Sequence, residues 1–219
     1  MFISIEGSDV TGTATKDEIR HESKTRILQA ALRVFREKGY SATRIEDICE
    51  AAGLTKGSFF HHFSTKEELA IAAADYWSEM TAVLFASAPY HAPADPLERV
   101  LAYVDFRKEL LRGELPEFTC LVGTMTQEVY GTHPAIREAC EAAISEHAAT
   151  LVPDIEAAMK KYGVKGDWTA ESLALFTQAA LQGAFIIAKA KNGVGPAIDM
   201  VDHLRHYIEL VFSNRIRKE

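Results

Sequence analysis

The chain has 219 residues, 47% of them hydrophobic, which suffices for one large domain or for a small domain joined to a larger one. Its formal net charge of −7 argues against a protein that coats nucleic acid without regard to sequence. The charge is uneven, because residues 15–66 carry ten Lys or Arg against seven Asp or Glu, whereas residues 67–219 carry fourteen against twenty-two.

The N-terminus looks like the opening of a nucleotide kinase, with a short strand and a glycine-led loop. A phosphate-binding loop requires GxxxxGK[ST], in which the lysine reaches the β- and γ-phosphates and the hydroxyl reaches Mg²⁺. Gly7 and Gly12 have this spacing, but Thr13 replaces the lysine and Ala14 replaces the hydroxyl residue. We therefore expect residues 1–22 to form a flexible arm rather than a nucleotide site. Three basic residues would let this part of the chain touch the phosphate backbone of DNA: Lys16, Arg20 and Lys24.

A helical period begins at about Ser23 and predicts a first helix that ends at Gly39. The next stretch, residues 43–66, has the pattern of two short helices on either side of a glycine turn. Thr43 is the predicted N-cap of the first, Gly53 can adopt the positive φ at which that helix stops, and Thr55 is the predicted N-cap of the second. This is the helix-turn-helix layout, whose second helix enters the major groove of DNA.

Residues 25–69 resemble the DNA-binding domain of TetR/AcrR-type transcriptional regulators. The matching segments are ILQAALRVFREKGYSATRIEDICEAAG, LTKGSFFHHF and STKEEL. The family usually has tyrosine where this chain has Phe60, so a phosphate-directed hydroxyl is absent here. The resemblance implies that these residues face DNA: Arg44, Thr55, Lys56, Gly57, Ser58, Phe60, His61, His62 and Lys66. Phe59 and Phe63, spaced at i and i+4, are expected to pack the interior instead.

The remainder reads as helices throughout, with no alternating strand pattern and no internal repeat. Thr65 and Glu68 form a predicted capping box at the start of a helix that runs to about Ala86. Prolines in the segment 89–96 mark a loop. Further helices are predicted over 96–112, 116–130, 134–163 with a kink at Pro153, 169–192 and 196–212. The prediction is an all-α protein of about nine helices, with a DNA-binding head at 23–70 and a helical ligand-binding and dimerisation body at 71–219.

A ligand pocket between the body helices is implied by the same resemblance. The candidate lining residues are Phe106, Leu110, Cys120, Met125, Tyr130 and Gln182. Cys120 lies in the uncharged segment FTCLVGTMTQ, where a buried thiol behaves as a small hydrophobe. The alternative is a sensor of electrophiles, which requires a depressed pKa, and no Lys, Arg or His lies within four positions of Cys120 in sequence.

The helix predicted over 170–191 carries small residues among large apolar ones, which allows two helices to approach closely. In the resembled family the last two helices pair with their copies in a dimer, whereas the pattern alone fits an intrachain core equally well. The candidate interface residues are Leu173, Phe176, Ala180, Gly183, Ile187, Leu204 and Ile208.

Histidines and cysteines are too scattered to predict a metal site. His61 and His62 point about 100° apart on a helix. His203 and His206 are better placed at i and i+3, but no Cys, Asp or Glu cluster completes a site, and a surface or dimer-face pair fits them better. We expect no metal and no other cofactor.

The predicted setting is cytoplasmic. The three cysteines form no CxxC pair and no even disulfide framework, which favours free thiols in a reducing compartment. No uncharged apolar run reaches the length of about twenty residues that a bilayer requires, since Lys189 and Lys191 close the longest candidate. The N-terminus lacks a signal-type stretch, so we expect neither export nor contact with a membrane.

The resemblance implies a DNA-binding transcriptional regulator, a repressor released from its operator by a small molecule bound in the body. The partners would be double-stranded operator DNA, a second copy of the chain and an effector of unknown identity. Two alternatives stay open: a DNA-binding protein without an effector, and an enzyme with a degenerate nucleotide-binding loop. No residue is predicted to be catalytic.

Overall fold

The computed structural model describes residues 16–213, and in this range the protein consists of eleven α-helices and one short 3₁₀-helix without a β-strand. The all-α prediction is therefore confirmed. The elements are α1 (Lys16–Lys38), α2 (Ile45–Ala52), α3 (Lys56–His62), α4 (Lys66–Ala86), η1 (Pro89–His91), α5 (Pro96–Glu109), α6 (Leu115–Phe118), α7 (Leu121–Val129), α8 (Pro134–Ala149), α9 (Val152–Tyr162), α10 (Ala170–Lys191) and α11 (Gly195–Ser213).

The described range has eleven α-helices where the sequence predicted about nine, because two of the predicted helices are each divided into two. The segment 116–130 breaks between α6 and α7, and the segment 134–163 breaks between α8 and α9. Pro153 lies in the first turn of α9. Backbone N–H groups in a first turn make no hydrogen bond within the helix, so a proline without an N–H is tolerated there, and Pro153 begins a helix instead of kinking one.

The first helix begins earlier than predicted. It starts at Lys16, within the stretch 1–22 expected to be an arm, and the sequence from Lys16 to Lys38 has no glycine or proline to interrupt it. The loop that resembles a nucleotide site, between Gly7 and Ala14, lies outside the described residues.

The N-cap of α2 is a correction to the sequence prediction. Arg44, not Thr43, occupies the cap position, and its backbone N–H donates to the Asp47 carboxylate at 2.8 Å. The Thr43 side chain is buried and its hydroxyl donates to the Gly39 carbonyl at 2.5 Å, so it closes the turn after α1. Gly39 and Gly53 have φ values of 81° and 63°, as expected for helix-ending glycines.

Two hydrophobic clusters form the interior. The first joins the apolar faces of α1–α3 to the start of α4, and it also takes in side chains of α7 and α8 such as Met125 and Cys140. The second lies among α5, α9, α10 and α11. The helix α4 belongs to both, with Leu69 in the first and Phe85 in the second, so it connects the head to the body.

The helix α10 is long and apolar enough, by length and composition alone, to cross a membrane. This differs from the sequence expectation, because Lys189 and Lys191 lie at its very end and leave an apolar stretch of sufficient length before them. In this fold nine of its residues are buried inside the protein.

Candidate functional site

The turn between α2 and α3 is fixed by bonds from both sides. Thr55 is the N-cap of α3, as predicted, and its hydroxyl oxygen accepts from the Ser58 N–H at 3.2 Å. The Arg26 guanidinium of α1 donates to the carbonyl of Ala52 at 2.7 Å and so satisfies the C-terminal end of α2. These bonds fix the turn that sets the orientation of α3 relative to α2.

The short helix α3 has an apolar inner side and a polar outer side. Phe59 and Phe63 are buried, as their spacing predicts. Phe60 points outward with 55% of its surface exposed. The other exposed predicted DNA-facing residues on α3 and its cap are Thr55, Lys56, Gly57 and His61, with Ser58 half-buried beside them.

Gly57 lies in the middle of this outer side. A methyl group built there would meet only the Thr55 hydroxyl oxygen, at 3.6 Å, and the backbone φ is not positive. Neither space nor conformation within the free protein therefore requires glycine at this position. A partner that approaches the α3 backbone closely would require it.

The outward cations of the head are paired with acids of α2. Lys56 forms an ion pair with Glu46, and this hydrogen bond lowers the pKa of the Glu46 carboxyl. Arg44 lies 3.4 Å from Asp47. Lys56 and Glu46 are both exposed, so their pair is weakly stabilising and Lys56 can exchange Glu46 for another anion. The Arg44 side chain is exposed too, whereas that of Asp47 is only 11% exposed and also pairs with Lys38. Arg44, Glu46 and Lys56 border an open depression of about 360 Å³ between the start of α2 and α3.

The Lys66 side chain is turned toward the protein. Its ammonium group donates to the carbonyls of Tyr40 and Thr43, at 2.8 Å each, and lies 4.3 Å from the centre of the Tyr40 ring. Burial lowers the pKa of Lys66. Its bonds therefore hold the turn between α1 and α2, which points to a structural role for Lys66, and its predicted phosphate contact stays a prediction.

His62 is likewise turned toward the protein. Its Nε2 lies 2.6 Å from the Ser23 hydroxyl of α1, and its side chain is half-buried. Burial, followed by the charges of His61, Arg20 and Lys24, lowers the pKa of His62. It anchors the end of α3 on α1, and its predicted DNA contact stays a prediction.

Glu128 of α7 joins the body to the head, a contact that sequence reasoning missed. Its carboxylate accepts from the backbone N–H of Tyr40 at 3.2 Å and from that of Ser41 at 2.9 Å. A Cβ at Gly39 would meet the same carboxylate and force it to shift, and the positive φ of 81° favours glycine there. The turn before α2 is thus held by Lys66 on one side and by Glu128 on the other.

The predicted ligand-pocket residues do not form one group. Phe106 lies in an aromatic cluster, 5.5 Å from Phe85, and Leu110 packs on the second hydrophobic cluster. Met125 belongs to the first cluster and is fully buried, while Tyr130 at the end of α7 is 67% exposed. Neither Met125 nor Tyr130 belongs to the hydrophobic cluster against which Phe106 packs, and their part in a ligand pocket stays a prediction.

Cys120 and Gln182 lie near the junction of the two clusters. Cys120 packs against both. The Gln182 amide lies so close to Gly123 that a Cβ there would collide with it. Burial lowers the pKa of Arg36 to about 10 and also lowers that of Lys189. The sensor role of Cys120 stays a prediction.

A buried polar cluster in the body was not predicted. The Tyr103 hydroxyl lies 2.9 Å from His147 Nε2, 3.2 Å from an Arg107 nitrogen and 3.0 Å from the Gln178 amide nitrogen. Burial, with a smaller contribution from the Arg107 charge, lowers the pKa of His147 to about 3. The side chains of this polar cluster come from α5, α8 and α10, so no sequence pattern within one helix could have predicted the cluster.

One face of α10 and α11 is apolar and uncovered. It forms a depression of about 500 Å³ lined by five of the predicted interface residues: Phe176, Ala180, Gly183, Ile187 and Leu204. The other two, Leu173 and Ile208, are buried in the core of the same chain and do not line the depression. The prediction missed further lining residues: Ala184, Ile186, Met200, His203 and Tyr207.

Metal-binding groups are not gathered anywhere in the described range. No set of three His, Cys, Asp or Glu side chains in residues 16–213 could hold an ion. His206 lies at the surface, 3.6 Å from Glu209, and His203 borders the apolar depression.

Two family models match the chain. Residues 27–73 match the bacterial regulatory proteins of the tetR family, and residues 96–203 match the C-terminal domain of LmrA/YxaF-like transcriptional regulators. The chain is 29% identical to the HTH-type transcriptional regulator LmrA of Bacillus subtilis over 180 residues, which covers 78% of this chain and 89% of that protein. Similarity to the regulator YerO of the same species is higher, 39%, but it is confined to 61 residues, or 28% of this chain and 21% of that protein.

Solved structures share the whole fold. A TetR transcriptional regulator from Chloroflexus aurantiacus superimposes with a TM-score of 0.74 at 28% identity, over 87% of this chain and 96% of that one. A regulatory protein TetR from Rhodobacter sphaeroides gives a TM-score of 0.74 at 23% identity, over 84% and 98%. Regulators of this family bind operator DNA and act as dimers. The chain belongs to the TetR family and is a DNA-binding transcriptional regulator.

Proposed function

We propose that the protein is a homodimeric repressor that binds a pseudo-palindromic operator through α3 and leaves it when a small molecule binds in the body. The observation that carries the proposal is the outer side of α3, where exposed small, polar and basic side chains surround a glycine that the free protein does not need. A recognition helix of this kind can lie in the major groove with its backbone close to the DNA.

The residues proposed to face DNA are fewer than the sequence suggested. They are Arg44, Thr55, Lys56, Gly57, Ser58, Phe60 and His61. Lys56 and Arg44 would exchange their acidic partners for phosphates or for the acceptors of a guanine edge. Lys66 and His62 would support the interface from behind.

The uncovered face of α10 and α11 is the proposed dimer interface. Apolar side chains such as Phe176 and Ile187 are 44% and 40% exposed there, although large apolar side chains are ordinarily buried. Pairing this face with its copy would place two heads on one duplex, and a single small head reads too few base pairs for useful specificity.

Two contacts could transmit a signal from the body to the heads. The helix α4 begins at Lys66, which holds the turn before α2, and ends next to Phe85 in the aromatic cluster. Glu128 of α7 holds the same turn. A molecule that binds the body in one arrangement of these helices more tightly than in the other would shift the population of dimers whose heads match the groove spacing.

These features suggest different roles for the two parts of the chain. Residues 23–70 would bind DNA, and residues 71–219 would bind the effector and the second copy. The protein would act by binding, without catalysis, in the cytoplasm, consistent with a family of soluble DNA-binding regulators.

The proposal is tested by fluorescence anisotropy with the purified protein. We expect it to bind DNA from upstream of its own gene at least about a thousandfold more tightly than random DNA, with an affinity that falls steeply with salt concentration. Equal affinity for both DNAs across the salt series would contradict the proposal.

A further inference from the structure

We propose that the body binds an aromatic carboxylate, with the guanidinium of Arg107 as the group that holds the carboxylate. The proposal rests on the proposed function, because the aromatic carboxylate would be the effector. Arg107 is half-buried on α5, among α4, α8 and α10, and its surroundings differ from those of the other cations on that helix.

The charge of Arg107 has no acidic partner. On the same helix, Arg99 pairs with Asp154 at 2.6 Å and Lys108 pairs with Asp202 at 2.6 Å. Within residues 16–213, by contrast, no carboxylate lies at ion-pairing distance from Arg107. A partly buried cation without a counter-ion favours an anion that comes from outside.

The protein groups around Arg107 occupy only one of its nitrogens. Its Nη1 lies 3.2 Å from the Tyr103 hydroxyl and 3.3 Å from His147 Nε2. No acceptor in the described part of the chain is bonded to its Nε or Nη2. A guanidinium has five N–H groups in a planar fork, so the remaining edge can bind both oxygens of one carboxylate.

The hydrogen bonds in the cluster fix the Arg107 fork. His147 is neutral, since burial lowers its pKa to about 3, so its Nε2 can accept a hydrogen bond from the Tyr103 hydroxyl. The hydroxyl oxygen in turn accepts from Arg107 and from Gln178. A fork fixed in this way loses little conformational entropy when it binds a ligand.

Aromatic rings surround the guanidinium. Its central carbon lies 5.4 Å from the ring centre of Phe85, 5.9 Å from that of Tyr103 and 6.0 Å from that of Phe185. Phe85 also packs against Tyr90 and Phe106. Such surfaces bind a flat apolar ring by stacking and edge-to-face contacts, so the ligand class is a carboxylate attached to an aromatic group.

The position of Phe85 connects this site to the head. It lies in the last turn of α4, and its ring centre is 4.5 Å from that of His147. A ligand ring bound in the cluster would contact Phe85, and a displacement of Phe85 would pass along α4 toward Lys66. This gives the aromatic carboxylate a way to alter the heads as well as a place to bind.

The experiment is isothermal titration calorimetry of the full chain, without DNA, against benzoate, phenylacetate and cinnamate. The matched amides, benzamide, phenylacetamide and cinnamamide, serve as uncharged controls. We expect at least one carboxylate to bind and its amide to bind at least about tenfold more weakly, because a charged hydrogen bond is replaced by a neutral one.

Three variants assign the binding to Arg107. Arg107→Gln should weaken the carboxylate at least about tenfold, and Arg112→Gln, which removes an exposed cation just beyond α5, should leave it unchanged. Arg107→Lys keeps the positive charge but removes the planar guanidinium that can bind both carboxylate oxygens. It tests the role of Arg107 in carboxylate binding if the glutamine variant does not fold. Its melting temperature should stay near that of the parent protein while its affinity falls.

The proposal is overturned if none of the three carboxylates binds, if the amides bind as well as the acids, or if the Arg107 variants bind like the parent protein. Operator binding is measured separately by anisotropy without any ligand. A protein that binds its operator but none of the carboxylates would refute this inference alone, and one that binds a carboxylate but no DNA would refute the proposed function alone.

Discussion

Lys66 is the residue whose environment differs most from the expectation that its position raised. Its ammonium group donates to two carbonyl oxygens at 2.8 Å, and such bonds from a charged group contribute about 2 kcal/mol each when the donor is shielded from water. We expect Lys66→Met to lower the free energy of unfolding by about 2 kcal/mol or more in denaturant titration, and to leave the salt dependence of DNA binding unchanged.

Lys56→Met is the matched control for that variant. Lys56 is exposed and, among the residues that the structure describes, paired only with Glu46, so its loss should scarcely change stability but should weaken DNA binding and reduce the salt slope by about one. The assignment of Lys66 fails if the two variants have the same effects.

His147 makes stability depend on pH in a direction that its burial determines. Its pKa is about 3 in the folded protein and near 6.5 when exposed, so the unfolded chain binds the proton more tightly. Above pH 6.5 this difference in the pKa of His147 does not change stability. Below pH 6.5 the free energy of unfolding should fall by about 1.4 kcal/mol per pH unit until pH 3 is approached.

The measurement is denaturant titration at pH 7 and pH 5. His147→Gln should lose less stability between the two pH values than the parent protein, whereas His206→Gln, at an exposed position, should behave like the parent. An equal loss in the parent and in His147→Gln would show that His147 is not buried as described.

The sequence predicted the positions of side chains whose contacts lie within a few residues along the same helix. The outward Phe60 and the buried Phe59 and Phe63 follow from helical spacing, and the Thr55 cap follows from the residue type. Lys66 was not predictable, because its acceptors lie 23 and 26 residues earlier and depend on how α1 and α4 cross.

At the scale of elements, Glu128 carries the contact between α7 and the turn before α2. Removing its charge leaves two backbone N–H groups with a weaker acceptor, so Glu128→Gln should lower the free energy of unfolding by about 1 kcal/mol. Glu138→Gln, on the exposed side of α8, should change it by less than about 0.5 kcal/mol. Equal changes in denaturant titration would contradict the role given to Glu128.

The helices themselves were predictable from periodicity, caps and glycines, but their interruptions were not. Pro153 signalled a disturbance, yet whether a proline kinks a helix or opens a new one depends on the packing of α8 and α9. The Glu128 contact spans 87 and 88 residues, and no local pattern records such a pairing.

At the scale of the whole molecule, the apolar face of α10 and α11 should hold two copies together. Ile187→Arg would place a charge in the middle of that face, which is strongly unfavourable when the face is buried. We expect this variant to be monomeric by light scattering and to bind operator DNA much more weakly. Val83→Arg, at an exposed site on α4 outside the depression, should remain dimeric. A dimeric Ile187→Arg protein would contradict the proposed interface.

The body could be predicted as a set of helices but not as a site. The candidate pocket residues come from α5, α7 and α10, but the sequence does not show which side chains of different helices meet, as those of the Arg107 cluster do across α5, α8 and α10. Leu173 and Ile187 illustrate the same limit, since both are apolar on α10, and the helices that pack around α10 decide which of them is buried.

The most direct test of recognition through α3 is the affinity of Gly57→Ala for operator DNA, compared with Gly195→Ala as a control that adds the same methyl group at the start of α11. Both sites have room for a Cβ, so both variants should fold, and alanine in α3 should raise stability by up to about 1 kcal/mol. We expect Gly57→Ala to bind the operator at least about tenfold more weakly and Gly195→Ala to bind like the parent protein, because the methyl group added at position 57 would stand between α3 and the bases. Unchanged operator affinity of Gly57→Ala would contradict the claim that α3 enters the groove.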